Sequence, residues 1–150
     1  MIDAVLVSID AGVATIRLNR PDARNALNLA MCEGLAEVAR RAADDPAVKL
    51  VLIRAAGSVF CAGADVKERV GMDAAQVRAR RTKGFDAYAA LEALPMPVVA
   101  VVEGPAVGSG REIAACCDFM VHTPAPSFRT PDPLRGTRGR RPRLAPAPRT

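Results

Sequence analysis

The stretch that most constrains the fold runs from Pro97 to Val121 and reads PVVAVVEGPAVGSGREIAACCDFMV. Its β-branched run from Val98 to Val102 predicts a buried strand, and the break at Glu103-Gly104-Pro105 predicts a loop. The small-residue turn Gly108-Ser109-Gly110 then opens a segment with helical spacing. The order strand, loop, helix, with glycines where the backbone must pass close to something, favours an α/β fold.

The same stretch holds a candidate catalytic pair. The first N–H groups of a helix have no partner within the helix, so they suit an oxygen that gains negative charge. Glu112 follows Ser109 by three residues, which places its carboxylate on the side of the helix start where the N–H of Ser109 lies. An oxyanion donor beside a general acid or base predicts catalysis. A turn needed only for packing is the alternative, and a dinucleotide-binding loop is disfavoured by the extended segment before the glycines.

The rest of the chain predicts a mixed α/β order of elements. We expect a hairpin, a helix capped by Asn25 or Asn28, a strand, a glycine-rich loop, a short helix, a helix capped by Asp73 and broken or weakened at Gly84, and a last strand. The corresponding ranges are 4–9 and 13–18 for the hairpin, then about 28–43, 48–54, 55–63, 64–70, 73–94 and 118–121. Arg78, Arg80 and Arg81 are expected on an exposed helix face.

Charge divides the chain in two. Residues 123–150 hold seven arginines, one acid and seven of the twelve prolines, whereas residues 1–122 hold fourteen basic and fifteen acidic residues. We therefore predict a folded domain over 1–132 and a disordered basic tail over 133–150. The nearly neutral folded part argues against a nucleic-acid partner, and no apolar run approaches the roughly 20 residues of a membrane span. The start has no basic segment of the kind that opens a signal peptide.

The four cysteines, Cys32, Cys61, Cys116 and Cys117, lack the spacing of a zinc site. We expect no metal, and the pattern is typical of a reducing cytoplasm. A catalytic pair of Cys61 with the sole histidine, His122, is conceivable, but small buried structural residues are the favoured interpretation.

Three stretches together resemble the enoyl-CoA hydratase/isomerase (crotonase) family. They are Ile16–Leu27 (IRLNRPDARNAL), Phe60–Glu68 (FCAGADVKE) and the stretch that runs from Pro97 to Asp118. Their order and spacing also match, so the resemblance covers about residues 5–122. It implies an α/β fold of repeated ββα units, here truncated, and a substrate that is a coenzyme A thioester, with no separate cofactor.

The resemblance also implies roles for individual residues. The backbone N–H groups of Ala64 and Ser109 would hold the thioester carbonyl, and two carboxylates, Glu112 and Asp132, would position and deprotonate the water that adds to the double bond. Contacts with coenzyme A would come from two loops and the helix start, through Ala23, Arg24, Ala26, Ala62, Asp65, Val66, Lys67 and Gly110.

The chain also departs from the family pattern. Ser109 replaces the central glycine of the usual turn, Arg111 replaces a small or apolar residue, and the pattern fades after Asp132. The C-terminal helices that build the family's trimer, often paired into a hexamer, are missing from the pattern.

Four hypotheses follow. The chain is a lyase that hydrates enoyl-CoA in fatty-acid or other acyl-CoA metabolism. It catalyses double-bond isomerisation or another reaction of the family. It is an inactive fragment with an out-of-frame end beyond about residue 133. Its tail is a basic arm that binds an anionic partner, with an affinity that falls with salt.

Overall fold

The structure is a computed structural model, and it describes residues 3–123 together with the backbone of 128–129. The chain begins with two strands, β1 (Val5–Asp10) and β2 (Val13–Leu18), followed by a 3-10 turn (Pro21–Ala23). The remaining elements are α1 (Leu29–Asp44), β3 (Leu50–Ala55), α2 (Ala74–Glu92), β4 (Val98–Val102), β5 (Ala106–Val107), α3 (Ser109–Ala115), β6 (Phe119–His122) and β7 (Phe128–Arg129). The predicted order of strands and longer helices is confirmed.

Five of these strands form one mixed sheet in the order β1-β2-β3-β4-β6. The hairpin β1–β2 is antiparallel, whereas the β2–β3, β3–β4 and β4–β6 pairs are parallel. The short strands β5 and β7 pair in parallel as a second, small sheet. The sequence β4-β5-α3 is therefore one ββα unit, with its first strand in the large sheet and its second in the small one.

The caps that the sequence predicts for the two long helices are present. The side chain of Asn28 accepts a hydrogen bond from the N–H of Met31 at the start of α1, so Asn28 rather than Asn25 is the cap. At the start of α2, Asp73 and Gln76 form a reciprocal capping box. Each arrangement pairs N–H groups that would otherwise lack a partner at the helix start.

One face of the large sheet packs against the helices. Along β2 and β4 every second residue is buried, as the alternation of side chains across a strand requires. These residues meet the apolar face of α1, and the core is built mainly of small and branched aliphatic side chains, including Ala14, Ile16, Val51, Val98 and Leu35. Small side chains allow the strands and helices to lie close together.

Three expectations from the sequence are wrong. Residues 66–71 form successive turns rather than a helix, with hydrogen bonds from Arg69 to Val66 and from Val70 to Lys67. Gly84 does not break α2, which is continuous through it. Arg80 is buried instead of exposed, because it bonds to groups inside the protein.

Other expectations lie outside the described residues. These are the disordered tail over 133–150, its proposed anionic partner and the second carboxylate, Asp132. Among the helices of the described residues, none is both long enough and apolar enough to cross a membrane.

Candidate active site

The loop that runs from Cys61 to Asp65 lies between the other two resembling segments. On one side Cys61 forms a parallel bridge with Ala106, and the N–H of Val107 donates to the Cys61 carbonyl at 2.9 Å. On the other side Leu27 donates to the Gly63 carbonyl at 2.8 Å, and Asp65 donates to the Leu27 carbonyl at 3.0 Å. Folding thus brings three segments that are far apart in sequence into one layer beside the main sheet.

Two glycines let these backbones approach closely. A β-carbon on Gly110 would lie 2.6 Å from the carbonyl oxygen of Cys61, a distance that no side chain tolerates. Gly63 has a φ of +102°, which side chains rarely adopt, and a β-carbon there would lie 3.3 Å from the Val107 oxygen. Gly110 therefore has a packing role at the first turn of α3. The coenzyme A contact predicted for it stays a prediction.

The two predicted oxyanion donors lie in these adjoining turns. Ser109 is the first residue of α3 and Ala64 follows Gly63, and both are partly buried. Between residues 3 and 123 no backbone carbonyl accepts the N–H of either residue. Residues 66–71 form turns, so the Ala64 N–H does not lie at the start of a helix. Two unpaired donors at neighbouring turns can bind one oxygen that gains negative charge.

Glu112 lies one helical turn from Ser109, as the spacing predicts. Its N–H donates to the Gly108 carbonyl at 3.1 Å, which fixes the start of α3. Its carboxylate is partly buried and accepts a hydrogen bond from the Tyr88 hydroxyl at 2.9 Å. The tyrosine comes from α2, and sequence reasoning gave it no role, because a tyrosine in the middle of a helix reads simply as a core residue.

The loop before α1 is held by an asparagine whose importance the sequence did not show. Asn25 is fully buried, and its amide donates to the carbonyls of Ala56 and Val59 at 2.7 and 2.8 Å. Its side-chain oxygen accepts from the N–H of Arg20 at 2.8 Å. Next to it, the Arg24 carbonyl accepts from Ala62 at 3.0 Å, so the two loops predicted to contact coenzyme A adjoin.

The residues predicted to contact coenzyme A differ in exposure. Arg24, Ala62, Val66 and Lys67 are exposed, while Ala23 and Ala26 are partly buried. Asp65 differs from all of them, because it is buried and its carboxylate accepts from Arg20 at 3.0 Å.

The environment of Asp65 favours its charged form. Burial alone raises the pKa of this carboxyl, but the Arg20 side chain and the N–H groups of Glu68 and Lys67 outweigh that effect and hold its pKa below the ordinary 3.8. Asp65 therefore stabilises the loop from within.

A second buried network fastens the loop to α2. Arg80 donates to Oε2 of Glu68 at 2.9 Å and also to the carbonyl of Leu27, and Oε1 of Glu68 accepts from the N–H of Leu29 at 2.7 Å. Leu27 is the residue that bridges to Ala64. Arg80 thus supports the backbone that carries one oxyanion donor. In the sequence Arg80 lies in an arginine-rich stretch, which predicts an exposed residue rather than one that supports a loop.

The cysteines show no arrangement for metal or nucleophilic chemistry. All four are free thiols, and in the part of the chain that the structure describes no group of three or more metal-ligating side chains comes together. Cys61 is fully buried, and burial raises the pKa of its thiol to about 11. His122 is exposed at the end of β6. These positions disfavour the pairing of Cys61 with His122 as nucleophile and base.

Fold and site together define a mixed α/β protein of ββα units in which two adjoining turns present backbone N–H donors near a carboxylate. Residues 8–140 match the family described as enoyl-CoA hydratase/isomerase. The probable enoyl-CoA hydratase EchA14 of Mycobacterium tuberculosis is 36% identical over 126 residues, which is 84% of this chain and 49% of that protein. The crotonyl-CoA hydratase of Syntrophomonas wolfei is 33% identical over 129 residues, or 85% of this chain and 50% of that protein.

Solved structures agree. An enoyl-CoA hydratase/carnithine racemase from Magnetospirillum magneticum superposes with a TM-score of 0.88 at 34% identity, covering 95% of this chain and 54% of that one. The enoyl-CoA hydratase from Bacillus anthracis gives a TM-score of 0.86 at 32% identity, covering 91% and 54%. The chain belongs to the enoyl-CoA hydratase/isomerase family, whose members act on acyl-CoA substrates. It spans about half the length of the relatives that it matches.

Proposed function

We propose that this chain carries the site of an enoyl-CoA hydratase and adds water across the double bond of an enoyl-CoA thioester. The observation that supports the proposal most directly is the pair of N–H groups at Ala64 and Ser109. No backbone carbonyl among residues 3–123 accepts them, and they lie in turns that pack against each other. Glu112 lies one turn along the same helix. The chain spans about half the length of the relatives that it matches, so the activity of the whole protein is itself part of this proposal.

In the proposed reaction the thioester carbonyl accepts hydrogen bonds from both N–H groups. Water attacks the β-carbon, its proton passes to the Glu112 carboxylate, and the double-bond electrons move to give an enolate. The negative charge then rests on the oxygen that Ala64 and Ser109 bind. The proton held by Glu112 then passes to the α-carbon, which restores the carboxylate and completes the addition of one water molecule. Losing one such donor typically lowers kcat about 10²–10³-fold.

The exposed cations Arg24 and Lys67 support a site for the coenzyme A phosphates, because they lie on adjoining loops. The small residues beside them, Ala23, Ala26 and Ala62, and the exposed Val66 would contact the less polar parts of the substrate. Asp65 and Gly110 would act indirectly, by holding the loop and the turn in place. Asp132 remains a proposed partner of Glu112 in activating water.

A second reaction is also favoured by one observation. Glu112 is the acidic residue of α3, the helix that begins with Ser109, whereas the Asp65 carboxylate accepts a hydrogen bond from Arg20. One carboxylate is sufficient to move a proton between two carbon atoms, so double-bond isomerisation is the alternative. Converting a 3-enoyl-CoA to a 2-enoyl-CoA without gain of water would identify it.

We also propose that the protein works in a reducing compartment such as the cytoplasm. All four cysteines lie in the described part of the chain and none forms a disulfide. Disulfides are the bonds that oxidising compartments favour. The trimeric or hexameric assembly implied by the family resemblance stays a prediction.

Loss of the crotonyl-CoA absorbance as water adds tests the hydration proposal. Replacing Glu112 with Gln keeps the shape but removes the base, and we expect the rate to fall about 10²–10⁴-fold. Glu37→Gln is the matched control, because Glu37 is exposed on α1 and pairs with Arg41 of the same helix. Equal rates for the two variants would exclude Glu112 from the reaction.

A further inference from the structure

A hydrogen bond joins the candidate base to a different helix. The Tyr88 hydroxyl on α2 donates to Oε2 of Glu112 at 2.9 Å. Among residues 3–123, no other group donates to the Glu112 carboxylate, so Oε1 accepts no hydrogen bond from this part of the chain. One oxygen is therefore held by the protein while the other can face a substrate or a water molecule.

The tyrosine is itself firmly held. Its side chain is only 7% exposed and lies on α2 between the fully buried Ala87 and Leu91. The ring of Phe85 packs edge to face against it, with the ring centres 6.5 Å apart. A buried ring packed in this way has little rotational freedom, so its hydroxyl is a fixed point rather than a mobile one.

The hydroxyl also stays protonated. Burial raises the pKa of Tyr88 strongly, the Ser109 hydroxyl counteracts this in part, and the Glu112 carboxylate raises it further. Tyr88 is consequently a hydrogen-bond donor near neutral pH. Tyr88 therefore lies between Ser109, which carries one proposed oxyanion donor, and Glu112, which is the proposed base.

We propose that Tyr88 is a positioning residue, whose hydroxyl fixes the Glu112 carboxylate relative to the Ser109 turn so that Oε1 points at the reacting atoms. The inference rests on the proposed function, because it assigns a partner to the same base. Ser109 strengthens it: this chain has a hydroxyl where the family pattern has glycine, and that hydroxyl faces the tyrosine that holds Glu112.

Removing the Tyr88 hydroxyl takes away the donor that holds Oε2 of Glu112, so the carboxylate should lose its fixed orientation. The titratable groups that act on this pair include Cys116, which directly follows α3 and senses Glu92 of α2 as well as Glu112, and Cys32 of α1 on the tyrosine side. Burial and the charges of Glu92 and Glu112 raise the pKa of Cys116 to about 12. Glu92 is the neighbouring charge to control.

The test is Tyr88→Phe in the full chain, which removes one oxygen and keeps the ring. Carboxyl-¹³C NMR, with the Glu112 signal identified by its loss in Glu112→Gln, measures the chemical shift of the Glu112 carboxyl carbon without any substrate. We expect Tyr88→Phe to move that signal, because Oε2 of Glu112 loses the hydroxyl that donates to it. Glu92→Gln removes a neighbouring charge and keeps this hydrogen bond, so it should move the signal less.

Activity gives the second readout. In Tyr88→Phe kcat should fall about 10-fold while KM changes little, because the lost hydroxyl orients the base and does not bind the substrate. In the Glu112→Gln background Tyr88→Phe should cause no further loss, whereas a merely structural role would give a second, additive loss.

The outcomes separate the two proposals. An unmoved Glu112 carboxyl signal in Tyr88→Phe overturns the positioning role, whatever the activity. A moved signal in a protein that does not hydrate crotonyl-CoA supports the positioning contact and refutes hydration as the function.

Discussion

Gly110 lies so close to the backbone of Cys61 that we expect Gly110→Ala to disturb the site. The new β-carbon would lie 2.6 Å from the Cys61 oxygen and 2.8 Å from its β-carbon. Ordinary contact begins at 3.4 Å, so the start of α3 and the Cys61 loop must separate by about 0.8 Å. The atom in the way is backbone, which is held by the hydrogen bond from Val107 and cannot turn aside.

Both stability and catalysis should suffer. Overpacking of this kind costs about 1–3 kcal/mol. A loss of 1 kcal/mol lowers the melting temperature of a domain this size by about 4 °C, so we expect a decrease of about 4–12 °C. Because Gly110 follows Ser109, the same shift separates the Ser109 and Ala64 donors, and a 1 Å misplacement in an active site can cost about 10²-fold in rate.

Differential scanning calorimetry and crotonyl-CoA turnover at a temperature where both proteins are folded are the assays. Gly84→Ala is the matched control, since Gly84 is inside α2 and its new β-carbon would meet only the end of the Arg80 side chain, at an ordinary 3.7 Å. Helix propensity predicts that this control gains about 0.5–1 kcal/mol. If Gly110→Ala matches it in melting temperature and rate, the reasoning from close packing is refuted.

Two further predictions concern the buried charges. Arg80→Met removes the cation that pairs with Glu68 and one of the two donors to the Leu27 carbonyl. We expect the free energy of unfolding in urea to fall by about 3 kcal/mol, against less than about 0.5 kcal/mol for the exposed Arg78→Met; equal losses would contradict the buried network. The pKa of Asp65 lies below its ordinary 3.8 in the folded state, so the carboxylate contributes stability above pH 4 that is lost as the pH falls below it. Melting temperatures of Asp65→Asn and the parent chain should therefore converge as the pH falls from 6 to 3, and a constant difference would show that the charge contributes nothing.

The sequence predicts candidate chemistry-bearing positions but not the residues that support them. Ser109 and Glu112 are close in sequence, so helical spacing alone predicts that they share a helix start. Ala64 could be added only through resemblance, because nothing local distinguishes its N–H from any other. The predicted helix after it does not form: residues 66–71 turn instead, and the carboxylate of Asp65 accepts the N–H groups of Lys67 and Glu68 there.

Arg80 and Asn25 show the same limit from the polar side. In a linear sequence an arginine between two other arginines predicts solvent exposure, and an asparagine near a helix start predicts a cap. Both are buried here, where they donate to backbone carbonyls of distant loops, and buried polar groups must be paired.

What the sequence alone determined is therefore local: strand alternation, helix caps, and glycines at the turns where backbones meet. These follow from steric preference and hydrogen bonding over a few residues, and they suffice for the α/β order and the family. What only the tertiary structure decided is which distant groups meet, namely Tyr88 with Glu112, Arg80 with the Leu27 carbonyl, and Gly110 with Cys61. The first two contacts depend on where α2 packs, and the third on how the Cys61 loop meets the start of α3. No pattern within a single segment specifies either arrangement.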